Sequence, residues 1–117
     1  MQDNKGKNLI LELTFEFALL VIKYVESLQS NRKYVIANQL LKSGTSIGAN
    51  VREAQNAESK ADFIHKLKIA AKEADETEYW LMLCKGSEGY EDCQHLLQNC
   101  HSIIKVLSKI ISSSKTI

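Results

Sequence analysis

Two carboxylate-x-x-histidine pairs, Asp62 with His65 and Asp92 with His95, have the spacing from which helical bundles build di-metal centres. Cys84, Cys93 and Cys100 add soft ligands that, with His95, would make a zinc set. The stretch QLLKSGTSIGANVREA, Gln39 to Ala54, has the glycines and hydroxyls of a loop that cradles phosphate. Asn50, Glu73 and Glu78 could form a polar pocket with the carboxylates as acid and base. Each of these chemistries depends on a geometry that the surrounding pattern constrains.

The metal geometries fail. Each of the two histidines lies two residues from a core-stripe position, Phe63 or Cys93, hence about 200° round its helix and facing outward. The pairs also open successive antiparallel helices, which separates them by roughly 30 Å. Cys93 and Cys100, on one helix, are about 10.5 Å apart along its axis, too far for sulfurs about 2.3 Å from one zinc. All three cysteines fall on core stripes and read as small buried hydrophobes, with Cys84 and Cys93 approaching each other across a turn. No metal and no cofactor is expected. Ser43, Thr45 and Ser46 have no histidine nearby to activate them. Asn50, Glu73 and Glu78 read as a buried polar network that fixes helix register. Their use as an enzyme site, the third reading of function, requires an open cleft instead. The chain is not expected to be an enzyme.

The glycine-rich stretch keeps helical phase. Ile36, Leu40, Ser43/Gly44, Ile47, Val51 and Ala54 recur every three or four residues, and Gly48 is followed by Ala49 and Asn50, not by lysine and a hydroxyl residue. Gly44 and Gly48, one turn apart, allow a neighbouring helix to come close, with a kink expected near Gly44 if anywhere. Three further stripes share the period: Leu9, Leu13, Phe17, Leu20 and Tyr24; Phe63, Leu67, Ala70, Ala74, Thr77, Leu81 and Cys84; Cys93, Leu97, Cys100, Ile104, Leu107 and Ile111. Helices are expected at 8–28, 31–55, 59–85 and 91–112. Ser30 or Asn31 is the expected N-cap of the second, and Ser59 to Asp62 the capping box of the third. The acids of KGSEGYED suit the start of the fourth, and the final SSSKTI is expected to fray. No proline interrupts these segments. Short connections then make the fold all-α, an antiparallel up-down-up-down four-helix bundle, with residues 1–117 as one domain. No window is apolar enough to span a membrane, and an odd cysteine count fits a reducing cytoplasm.

Two surface patterns remain. Leu11, Phe15, Ala18 and Ile22 form a second apolar stripe on the first helix, nearly opposite the Leu13/Phe17 stripe, and Ile69, Trp80 and Leu83 add a weaker one on the third. A helix of a small bundle needs one buried face, so these residues are expected to meet other copies of the chain. Net charge is only +1. Yet the third helix places Lys60, Lys66, Lys68 and Lys72 in its first half and Glu73, Asp75, Glu76 and Glu78 in its second, against the helix dipole. Up-down topology gathers Arg52, Lys105 and Lys109, with Lys5, Lys7 and Lys115, at the same end. That basic pole is expected to neutralise phosphates without reading sequence.

The segments LTFEFALLVIKYV and NQLLKSGTSIGANVREAQNAESKADFIHKLKIAAKEADETEYWL resemble the four-helix-bundle proteins of the 23S ribosomal RNA intervening-sequence family, a resemblance that extends over nearly the whole chain. The resemblance implies a small bacterial bundle that often assembles as a ring of five. It is also similar in fold to the accessory proteins of diversity-generating retroelements, which bind nucleic acid beside a reverse transcriptase. It supplies no catalytic motif. The function expected is a homo-oligomeric scaffold or accessory for RNA or a ribonucleoprotein; the alternative is a scaffold that contacts protein alone.

Overall fold

The computed structural model describes residues 5–115, with side chains from residue 9 onward. It contains four helices, α1 (Lys5–Ser30), α2 (Tyr34–Ala54), α3 (Lys60–Gly86) and α4 (Gln94–Lys115), and no strand among the described residues. Thr116 and Ile117, the end of the segment expected to fray, lie outside the described residues.

Each boundary has a local cause. Ser59 accepts from the Asp62 N–H at 3.0 Å, and the Asp62 carboxylate accepts from the Glu58 N–H at 3.2 Å, a capping box displaced by one residue. The turn before α2 is built differently from the expectation. Ser30 belongs to α1 and donates to the Glu26 carbonyl, and Asn31 donates through its side chain to the Ser27 carbonyl. Neither caps α2, whose N-cap position is Lys33 with no side-chain bond. These residues serve to end α1: the Lys33 N–H reaches the Leu28 carbonyl at 2.8 Å and the Arg32 N–H reaches Gln29 at 3.0 Å. That is a Schellman motif, and it places Arg32 at φ 63°. Glycine is usual there, because the left-handed region costs an L-residue roughly 1–2 kcal/mol. α4 begins three residues later than 91 because Glu91 and Asp92 form its lead-in. The Asp92 carboxylate accepts from the Gln94 N–H at 3.4 Å, and the Tyr24 hydroxyl donates to the Glu91 carbonyl at 2.8 Å.

Cross-helix pairs fix the directions. Val21 and Thr14 lie against Gly44 and Gly48; Ser43 and Glu53 meet Thr77 and Lys66; Ala74 and Leu81 meet Cys100 and Cys93. In every pair one number rises as the other falls, so these neighbours run antiparallel. The C-terminal part of α1 meets the lead-in to α4 through Tyr24 and Glu91, which closes the bundle. Among the described residues, close backbone approaches join α1 to α2, α2 to α3, α3 to α4 and α4 to α1, with none across a diagonal. The helices therefore stand at the corners of a square, along a body 48 Å long.

Close approach of α1 and α2 depends on the glycines, and α2 passes through both as one continuous helix. A methyl group on Gly44 would stand 2.9 Å from Val21 Cγ1, whereas one on Gly48 would meet Thr14 Oγ1 at 3.3 Å. The expected core stripes hold for α2 and α3 except at their first positions, where Ile36 and Phe63 are only partly buried and Ala37 is buried beside Ile36, and they shift elsewhere. In α1 the buried positions are Ile10, Thr14, Phe17, Val21, Tyr24, Val25 and Leu28, while Leu9 is exposed and Leu13 and Leu20 are only partly buried. In α4, Ile103 is buried where Ile104 was expected, and Ile104 packs at the edge. Both helices offer two apolar residues per turn, and the tighter packing decides which faces inward.

Candidate functional site

The polar trio does not assemble. Asn50 donates to the Ser46 carbonyl at 2.9 Å on its own helix, and Glu78 pairs with His101 of α4. Glu73 and Glu78, separated by an arc of about 140° at 100° per residue, point to opposite flanks of α3. All three are partly exposed, and no hydrogen bond joins them. The buried polar link is made by residues with shorter side chains. Thr77 gives its one proton to the Glu73 carbonyl at 2.7 Å, so Ser43 is the donor in the 2.9 Å bond between the two hydroxyls. Among the described residues no buried side-chain polar atom lacks a partner.

Groups with metal or nucleophile chemistry are also placed structurally. His65 and His95 are exposed, His95 beside Asn99, and Asp62 is used in the α3 cap. No cluster among the described residues could hold a metal ion. The three cysteines are unpaired and buried. Cys93 and Cys100 donate to the carbonyls of Leu81 and Ala74, and Cys84 and Cys93 converge on the Tyr24 hydroxyl. Burial raises the titration points of all three thiols, Cys100 to about 12, and that of Tyr24 as well. Such thiols stay protonated and unreactive at neutral pH.

The apolar stripe of α1 is exposed, but not opposite the core. Because the core is centred on Thr14 and Phe17, the stripe lies about 100° round the helix, on the flank toward α2. Phe15 is 65% exposed and Ile22 39%, while Leu11 and Ala18 are partly covered. Leu11, Phe15 and Ala18 face Thr45, Gly48 and Ala49 of α2 across a groove of 260 Å³, with Arg52 at its end. The small residues that let α1 approach α2 also keep this groove shallow. Leu19, one turn beyond Phe15 and 52% exposed, extends the stripe; that spacing was visible in the sequence. Of the weaker set on α3, Leu83 is exposed, Ile69 is partly buried, and Trp80 packs against the core with its indole N–H on Glu76.

The cations lie toward one end of the bundle, as the topology predicts, but not on one side of it. Lys66 is tied to Glu53 at 3.0 Å on the α2 side of α3, and Arg52 stands over the α1/α2 groove. Lys60 sits at the turn between α2 and α3, near Phe63 and Ser114. The side chains of Lys5 and Lys7 lie outside the described residues. Lys68, Lys72, Lys105 and Lys109 are all exposed and form a second group. The register set by Glu78–His101 and Ala74–Cys100 puts Lys72 level with Lys105 and Lys68 level with Lys109. At 100° per residue Lys68 and Lys105 lie on the outer α3/α4 side and Lys72 and Lys109 at its two corners, with the exposed Asp75 one turn from Lys72 on the same surface. α4 contains no acidic residue, and its serines and lysines continue this face to Lys115. In the square of helices, the α3/α4 side is directly across from α1/α2.

A family model described as 23S rRNA-intervening sequence protein matches residues 7–109. No curated protein matches the chain. A crystal structure of a protein of unknown function from the S23 ribosomal protein family of Bacteroides thetaiotaomicron is similar, with 43% sequence identity and a TM-score of 0.86. The match covers 92% of this chain and 98% of that one. No helix among the described residues is long and apolar enough to cross a membrane.

Proposed function

The chain belongs to the 23S rRNA-intervening sequence protein family, and from that premise we propose a non-catalytic, self-associating bundle that carries RNA or a ribonucleoprotein. Copies associate through the α1/α2 flank, around Leu11, Phe15, Ala18 and Ile22. RNA lies on the α3/α4 face, where Lys68, Lys72, Lys105 and Lys109 neutralise its phosphates. One observation carries the reading: the exposed apolar flank and the α3/α4 side with its four exposed lysines, to which α4 adds no acid, are on opposite sides of the square. Assembly through the first therefore leaves the second free. A closed ring, such as the ring of five implied by the family resemblance, presents every lysine face in the same sense and multiplies weak contacts into avidity.

The proposed mechanism is electrostatic. Lysines on mobile stems meet phosphates without reading bases, so affinity falls steeply with salt. A non-catalytic role is supported by the internal bonds that engage Asn50 and Glu78. The test combines multi-angle light scattering with RNA titration, for native protein and for Phe15→Glu with Ile22→Glu. Native protein should be one defined oligomer that binds RNA, and the variant a single chain that binds it at least about 10-fold more weakly through lost avidity. A native single chain contradicts the assembly. A defined oligomer that ignores RNA at low salt turns the reading toward a scaffold that contacts protein alone.

A further inference from the structure

Where α1 ends and α2 begins, aromatic rings and cations surround a second groove. Its volume is 460 Å³, and its walls include Arg32, Lys33, Tyr34, Gln39, Trp80 and Tyr90. Trp80 turns one side to the core and gives its N–H to Glu76 at 3.1 Å. The edge of Tyr79 meets it with ring centres 5.4 Å apart. Tyr34 is 56% exposed, and Lys33 Nζ lies 4.8 Å from the centre of the Tyr90 ring. Arg32 makes no ion pair among the described residues. It also occupies a backbone conformation suited to glycine, φ 63°, so the turn holds an unpaired guanidinium at the rim against its own conformational preference. The Schellman turn thus carries a cation beside the exposed ring of Tyr34, with Trp80 and Tyr90 seated on the core next to it.

We infer that this groove holds an unpaired nucleobase of single-stranded RNA, stacked on the exposed ring of Tyr34 and flanked by Trp80 and Tyr90, with the adjoining phosphate on Arg32. Aromatic faces accept any base, and a cation at the rim meets the charge that accompanies it. The volume falls in the range of about 300–1,000 Å³ that suits small ligands. The inference rests on RNA being the partner and deepens that reading. The lysine face takes backbone charge from any RNA, whereas the groove selects single strands, because a paired base cannot leave its stack without cost.

Trp80 is the only tryptophan, so its emission reports on the groove. The native oligomer is titrated with a single-stranded oligoadenylate of about ten nucleotides, with a duplex RNA of equal length, and with adenosine monophosphate. The single strand should quench Trp80 and the duplex should not. Arg32→Gly and Tyr34→Ala should each weaken the single strand about 5- to 20-fold and leave the duplex unchanged. Arg32→Gly should also melt about 2–5 °C higher, which separates a lost contact from a lost fold. Equal salt-dependent binding of both RNAs with Trp80 emission unmoved overturns the groove and leaves the lysine face standing; a groove that takes a protein helix behaves this way. Quenching by the mononucleotide at the affinity of the strand overturns it in favour of a free nucleotide. If neither RNA binds, the proposed function falls and the groove assignment with it.

Discussion

Cys100 is a thiol whose surroundings remove its chemistry and leave a thermodynamic trace. It is fully buried, donates to the Ala74 carbonyl, and titrates at about 12 against the usual 9.0, chiefly through desolvation. The unfolded chain loses that proton first as pH rises. The thiol's contribution is therefore complete below pH 9 and is lost as pH climbs from 9 toward 12. Urea unfolding at pH 8, 9, 10 and 10.5 should show stability falling, and Cys100→Ala should shallow the slope by up to about 1.4 kcal/mol per pH unit. An unchanged slope would contradict the assignment. Thr77→Val tests the other buried polar group: it strands the Ser43 hydroxyl and should cost about 1–3 kcal/mol in chemical denaturation. The burial of Thr77 and Ser43 was legible in the stripes, but the choice of polar partners was not. Glu73 and Glu78 look adjacent in sequence, yet an arc of about 140° sends them to different flanks. Glu78 then finds His101, a partner on another helix that spacing along one helix cannot reveal.

The helices were legible because each has one dominant stripe and no proline, and the least legible element was the turn between α1 and α2. Ser30 and Asn31 have the right chemistry for an N-cap, but the chain needs them to finish α1. An arginine in the left-handed position carries no signal that distinguishes it from any other arginine. Arg32→Gly should therefore stabilise the free protein by about 0.5–1 kcal/mol, the strain relieved less the extra freedom glycine has when unfolded. The two glycines of α2 should respond differently. Gly44→Ala drives a methyl into Val21, a side chain with little rotamer freedom, and should cost about 1–3 kcal/mol. Gly48→Ala gains helix propensity against a milder contact with Thr14 and should fall within about 1 kcal/mol of neutral. Thermal melts of the pair settle whether close approach is concentrated at Gly44.

At the scale of the molecule, the order of helices around the square determines what the surface patterns mean. The apolar stripe of α1 was legible, but its direction was not, because α1 has leucines or isoleucines on three sides and the true phase emerges only against Gly44 and Gly48. Likewise the excess of lysines in the first half of α3 was plain, while its grouping with α4, apart from Arg52 and Lys66, depends on the α3/α4 register. The account stands on that separation of an apolar side from a lysine side. Its most direct test is the salt dependence of RNA affinity for the native oligomer and for the variant with Lys68, Lys72, Lys105 and Lys109 changed to Glu. The native slope of log affinity against log salt should be steep, and the variant should lose roughly 0.7 for each phosphate contact removed, up to about 3 per chain. A native slope near zero, or a variant that binds as the native protein does, would contradict it.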